Sequence, residues 1–203
     1  MTAPVASTAI LVLVLTAMTM PAPSVASPVG AEGGIVAIGD SYTSGEGVPP
    51  FDPATDRPGI NECHRSSLAY PYHLGTSLGA SVKSWACSGA TASDLSTTTV
   101  RTDQAPWNDP TLETSGGTRV SSLDRIAPDT PIVTLTVGGN DVGFPDIVSD
   151  CLLDLESCTR HDAQVQRDLA DLEGSLRTLF SDIGSRLSSH ARVLVVGYPR
   201  VFP

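Results

Sequence analysis

Positive charge is the scarcest feature of this sequence. Its 203 residues hold 12 Lys and Arg against 22 Asp and Glu, a net charge of −10. Lys83 is the only lysine, and the eleven arginines are scattered. Neutralising nucleic-acid phosphates needs clustered cations, so a nucleic-acid partner is excluded. No apolar run reaches the roughly 20 residues of a bilayer span; no stable membrane span is expected once a signal peptide is cleaved, the alternative being a single N-terminal membrane anchor. No C-x-x-C occurs, and no histidine stands at ligand spacing beside a cysteine pair, since His64 directly follows Cys63; the cysteines do not read as a metal site. There is no G-x-x-x-x-G-K-[ST] and no proper G-x-G-x-x-G, so nothing cradles a nucleotide phosphate.

What is present suits a folded domain. The composition, 40% hydrophobic and 17% charged, is too apolar for wholesale disorder. The length suits a single domain of roughly 100–200 residues. The first 26 residues read as an address. Ala9 to Met20 is a short apolar run, followed by Pro21, Pro23 and Ser24-Val25-Ala26, with small residues at the positions a signal peptidase reads. Cleavage after Ala26 would leave a mature domain over 27–203, secreted and extracellular. No Lys or Arg precedes the apolar run, so only the α-amino group supplies the usual positive start. In an exported chain an even set of cysteines suggests disulfides. Four allow three pairings; the most local, Cys63–Cys87 with Cys151–Cys158, is preferred.

The mature region alternates strand and helix patterns. Gly34 to Ile38, Ala80 to Ala86, Pro131 to Val137 and Arg192 to Gly197 read as strands. Ser66 to Leu78 reads as a short helix weakened by Pro71 and Gly75. In Asp162 to Ser188, residues Val165, Leu169, Leu172, Leu176, Leu179, Ile183 and Leu187 form one apolar stripe. This order predicts an α/β fold, with a parallel sheet covered on both faces. Residues 44–63 form a Gly/Pro/Asp-rich loop of a length that is usually functional. Residues 88–122 read as loop with one or two short helical turns.

Three blocks at strand ends carry chemistry. Gly39-Asp40-Ser41-Tyr42 follows the first strand, Ala86-Cys87-Ser88-Gly89-Ala90 the second, and Gly138-Gly139-Asn140-Asp141 the third. In open α/β sheets the ligand crevice lies at the carboxyl ends of the strands. Each block alone could be an ordinary turn. Together they offer a nucleophile (Ser41), a backbone donor (Gly89) and an amide donor (Asn140), the parts an acyl-transfer site needs. Asp40 and Asp141 read as loop-bracing carboxylates rather than proton carriers.

With GDSYTSGEG, CHRSSLAYP, ACSGAT, TVGGNDVGF and VLVVGYPR in this order, the chain resembles the SGNH (GDSL-type) hydrolases, and most of all their secreted, disulfide-containing bacterial lipases and esterases. The resemblance implies a flavodoxin-like three-layer sandwich with strand order 2-1-3-4-5, of which this chain holds four strands. It implies Ser41 as nucleophile, with an oxyanion hole made by the Ser41 and Gly89 N–H groups and the Asn140 side chain. It implies a monomeric esterase acting on small-molecule or lipid esters through an acyl-enzyme, with no metal or cofactor. Tyr42 stands where the family name has Leu.

One part is missing. The family's base is a histidine in an Asp-x-x-His motif, and no such motif occurs here. His64, His73, His161 and His190 read as exposed or structural. The expectation is therefore a domain incomplete at its C-terminus, with the base beyond Pro203 and little esterase activity in the 203 residues alone. The alternative is a non-catalytic secreted binding module on the same scaffold. An ordinary α/β-hydrolase is disfavoured, because Ser41 lacks the G-x-S-x-G elbow.

Overall fold

The computed structural model of the chain describes residues 34–96, 121–153 and 162–199. The expected signal peptide lies outside these residues, as does part of the 88–122 loop. Four parallel strands run β1 (Ile35–Gly39), β2 (Val82–Ser84), β3 (Ile132–Thr136) and β4 (Arg192–Val195), in sheet order β2-β1-β3-β4. The register pairs Ile35 with Val82 and Ile132, and Ile132 with Arg192. This is the order expected of a doubly wound α/β sheet.

Helices follow the strands: α1 (Ser41–Ser44), α2 (Tyr70–Leu78), α3 (Ala92–Ser96), a 3-10 turn (Ser122–Arg125), α4 (Phe144–Leu153) and α5 (Asp162–Arg186). β1 and β3 are buried along their whole length. Their alternation sorts the two faces. Val36, Ile38, Val133 and Leu135 point into a core with Leu95, Leu123, Leu179 and Ile183. α5 earns its place there through the apolar stripe rather than through propensity, since Gly174 and Gly184 weaken it. The opposite face carries Thr134 and Thr136, both buried and hydrogen-bonded through their hydroxyls to the Leu194 and Val196 carbonyls, at 3.3 and 3.0 Å.

One expectation needs correction. α2 begins at Tyr70, not Ser66, because Ser66 is bridged to Phe51 and Pro71 sits comfortably only in a helix's first turn. α4 was not foreseen. Among the described residues β4 pairs with β3 alone, and Val195 is 60% exposed.

Candidate active site

Three loops leave the carboxyl ends of β1, β2 and β3, and hydrogen bonds tie them to one another. Gly39 closes β1 at φ +131°, and a Cβ there would sit 2.3 Å from the Thr136 carbonyl oxygen. Only glycine lets the two strand ends approach so closely. The Asp40 N–H donates to that same oxygen at 3.0 Å. Asp40, fully buried, caps the single turn α1, its Oδ1 accepting from the Tyr42 N–H at 3.0 Å. Ser41 is the first residue of that turn and is half-buried.

The second block is fastened to the first twice. The Cys87 N–H donates to the Gly39 carbonyl at 2.9 Å, and the Cys63–Cys87 disulfide holds Cys87 to the long loop after α1. A polar chain runs beside it. Ser44 Oγ and Ser88 Oγ share a hydrogen bond of 3.2 Å, Ser88 Oγ donates to Glu46, and Glu46 Oε2 lies 2.6 Å from His64 Nδ1. Gly89 adopts φ +75°, a conformation side chains rarely allow. Neither the Ser41 nor the Gly89 N–H donates to a protein acceptor among the described residues.

The third block reaches back to the second. Asn140 Nδ2 donates to the Ala90 carbonyl at 3.0 Å, which leaves one amide hydrogen uncommitted by that bond. Both Asp141 oxygens accept from the Ala92 N–H at 3.1 Å. Asp40 and Asp141 thus each brace a loop.

Tyr198, just after β4, joins the outer blocks and was not singled out by sequence. Its hydroxyl donates to Asp40 Oδ2 and accepts from the Gly139 N–H at 2.8 Å. A Cβ on Gly139 would lie 3.1 Å from the Tyr198 ring. Tyr42 packs edge-on against that ring, with centroids 5.2 Å apart. The only sequence signal was its place in the GYPR stretch at a strand end. Burial pushes the Asp40 carboxyl up to about 6, against the opposing pull of the Tyr198 hydroxyl and the Tyr42 N–H. Burial likewise raises the Tyr198 phenol, and the Asp40 carboxylate raises it further. Asp141 is raised by burial, opposed by the Ala92 N–H.

The histidines are dispersed. His64 is held by Glu46 and stacks on Phe51, with centroids 4.9 Å apart. His190 sits in the turn before β4, at the amino end of the sheet. His73, on α2, is exposed and lines a cleft that also reaches Ser41. His161 lies outside the described residues. Among the described residues no histidine is hydrogen-bonded to Ser41. The expected Cys151–Cys158 pairing includes Cys158, which lies outside the described residues. No group of three or more His, Cys, Asp or Glu that could hold a metal occurs among the described residues.

The model of the GDSL-like lipase/acylhydrolase family matches residues 37–203. Lipase 1 of Streptomyces coelicolor is 31% identical over 189 residues, covering 92% of this chain and 60% of that protein. Two solved structures share the fold. An extracellular lipase from Streptomyces rimosus superposes with a TM-score of 0.62 at 29% identity, covering 84% of this chain and 62% of that one. A phospholipase A1 from Streptomyces albidoflavus NA297 gives 0.60 at 30% identity, covering 84% and 61%. The chain spans 53–64% of the length of the curated relatives it matches.

Proposed function

We propose that this chain, which belongs to the GDSL-like lipase/acylhydrolase family, carries the nucleophile and the oxyanion-binding half of a secreted, monomeric serine esterase. Ser41 Oγ attacks the ester carbonyl. The Ser41 and Gly89 N–H groups and the second Asn140 amide hydrogen stabilise the oxyanion of the tetrahedral intermediate. The alcohol leaves, and water releases the acid from the acyl-enzyme. The observation that carries this reading is the cross-linking of the three strand-end loops: Cys87 to Gly39, Asn140 to Ala90, and Asp141 to Ala92. It holds the parts in one place before substrate arrives, which is where electrostatic catalysis gains its power. The raised Asp40 carboxyl is engaged by Tyr42 and Tyr198 and serves as a brace.

A serine hydroxyl needs a base. We assign that role to a histidine beyond Pro203, in keeping with Ser41 having no histidine partner among the described residues and with the absence of an Asp-x-x-His motif from these 203 residues. The 203 residues alone should then hydrolyse p-nitrophenyl acetate no faster than their Ser41→Ala variant. A faster rate, lost on His73→Ala, would move the role to His73, which lines the same cleft. The mechanism itself is tested by acid-quenching the full-length protein during turnover and mapping the acyl group by mass spectrometry. The acyl group should sit on the Ser41 peptide; an adduct elsewhere, or none, contradicts the reading. Secretion is supported by the Cys63–Cys87 disulfide, and a mature N-terminus at Ser27 would establish it.

A further inference from the structure

We propose that Glu46 is a positioning residue for the oxyanion hole: through the Ser88 hydroxyl it fixes the peptide that carries the Gly89 N–H. This rests on Ser41 and Gly89 having the roles proposed for them. The Ser88–Gly89 peptide is the middle of a tight turn. The Ala90 N–H donates to the Cys87 carbonyl at 3.1 Å, and Gly89, third in the turn, has φ +75°, as a type II turn requires. Flipping that central peptide would convert the turn to type I and reverse the direction of its N–H. The closing bond from Ala90 to Cys87 is common to both types, so it does not prevent the flip. An oxyanion donor is most useful when aimed before substrate arrives. The grip must therefore come from outside the turn.

Glu46 supplies it. Its own N–H donates to the Ser41 carbonyl at 3.0 Å, which ties it to the turn of the nucleophile. Its carboxylate accepts from Ser88 Oγ and lies 2.6 Å from His64 Nδ1. A hydroxyl has one hydrogen, and that of Ser88 goes to Glu46. In its 3.2 Å contact with Ser44 Oγ, Ser88 therefore accepts. Ser44 Oγ in turn lies 3.1 Å from the Ser41 carbonyl oxygen. The polar chain thus begins and ends on the carbonyl of the nucleophile, with Ser88 held in its middle. The far side of Glu46 is fixed as well. His64 adopts φ +48°, a left-handed conformation uncommon outside glycine, and its ring stands between Glu46 and Asp56, whose Oδ1 is 3.6 Å from Nε2. Such a backbone persists only where its surroundings enforce it, and it clusters at functional sites. The residue before it, Cys63, is bonded to Cys87, and the Ser88 N–H donates to the Cys63 carbonyl at 3.2 Å. The covalent staple holds the first residue of the turn; the polar one holds the second, whose peptide must not flip.

Removing an oxyanion donor outright costs about 10²–10³ in rate; loosening one costs less. In the full-length protein, Glu46→Ala is expected to lower kcat on p-nitrophenyl acetate about fivefold, the worth of one ordinary hydrogen bond, with KM within about twofold. Glu46→Gln keeps an oxygen that accepts from Ser88, and should restore kcat to within about twofold of wild type. Ser88→Ala should lower kcat by the same factor as Glu46→Ala. The double variant should be no slower than either single one, because both cut the same link, whereas independent losses would multiply to about 25-fold. An unchanged kcat in Glu46→Ala, no recovery in Glu46→Gln, or a multiplicative double variant overturns the assignment. Should Glu46→Ala fail to fold, Ser88→Ala decides: wild-type kcat in that variant overturns it as well. Ser41→Ala, assayed beside the series, separates the two readings. Acetate hydrolysis that survives it refutes the nucleophile and this assignment together; with hydrolysis abolished, the Glu46 series tests the positioning alone.

Discussion

β3 and β4 are neighbours in one sheet, with continuous parallel pairing from Ile132–Arg192 to Leu135–Val195, yet they live in different environments. Every residue of β3 is buried; β4 has one half-buried residue and three exposed ones. Pairing satisfies the backbone of β3 on both sides and that of β4 on one among the described residues, but burial comes only from what packs on the faces. The difference extends to chemistry. The loops after β1, β2 and β3 hold Ser41, Gly89 and Asn140, while the segment after β4 supplies one cross-link, the Tyr198 hydroxyl between Asp40 and Gly139. Among the described residues, the covered centre of the sheet is where side chains are held, and the segment after β4 lends one strut.

The contrast can be broken in measurable steps. Leu135→Ala on β3 should cost about 2–5 kcal/mol in denaturant unfolding. Asn140→Ala, just beyond β3, should lower kcat about 10²–10³-fold with a smaller change in KM, measured on soluble nitrophenyl esters. Asp40→Asn tests the brace. The folded carboxyl titrates near 6 against an ordinary 3.8. The folded state therefore holds its proton more tightly, and the penalty for ionisation appears as pH rises through this window. The variant should be more stable than the wild type at pH 7.5 by on the order of 1–3 kcal/mol, and the gain should vanish by about pH 4. Tyr198→Phe removes both hydrogen bonds of the strut and should cost about 1–2 kcal/mol. It should also move the Asp40 titration higher, since the phenol hydrogen bond lowers it. Val195→Ala on β4, in the 203-residue chain alone, should fall within about 0.5 kcal/mol of the unsubstituted chain. A large effect there would show that β4 is covered in solution.

Much of the centre was legible from local pattern. Short β-branched runs ending in glycine marked the carboxyl ends of β1 and β3, and those ends carry Ser41 and Asn140. Position along the strand placed the residues before any contact was known. The rest depends on distant partners. Tyr198 meets Asp40 across 158 residues, and Ser66 reaches Val48 across 18; no local period encodes either. Phe144, Ile147, Val148 and Cys151 do have helical spacing, so α4 carried a signal, but it follows directly on the glycine-rich stretch 138–143, which reads as loop.

The central claim is that Ser41, and not another hydroxyl of the same hydrogen-bonded cluster, is the nucleophile. Ser88, linked to Ser44 and Glu46, is the natural comparison. The direct measurement is kcat/KM of the full-length protein on p-nitrophenyl butyrate with each serine replaced by alanine. Ser41→Ala is expected to reduce it roughly 10⁴-fold or more, and Ser88→Ala less than tenfold. Activity that survives Ser41→Ala but collapses in Ser88→Ala would contradict the account.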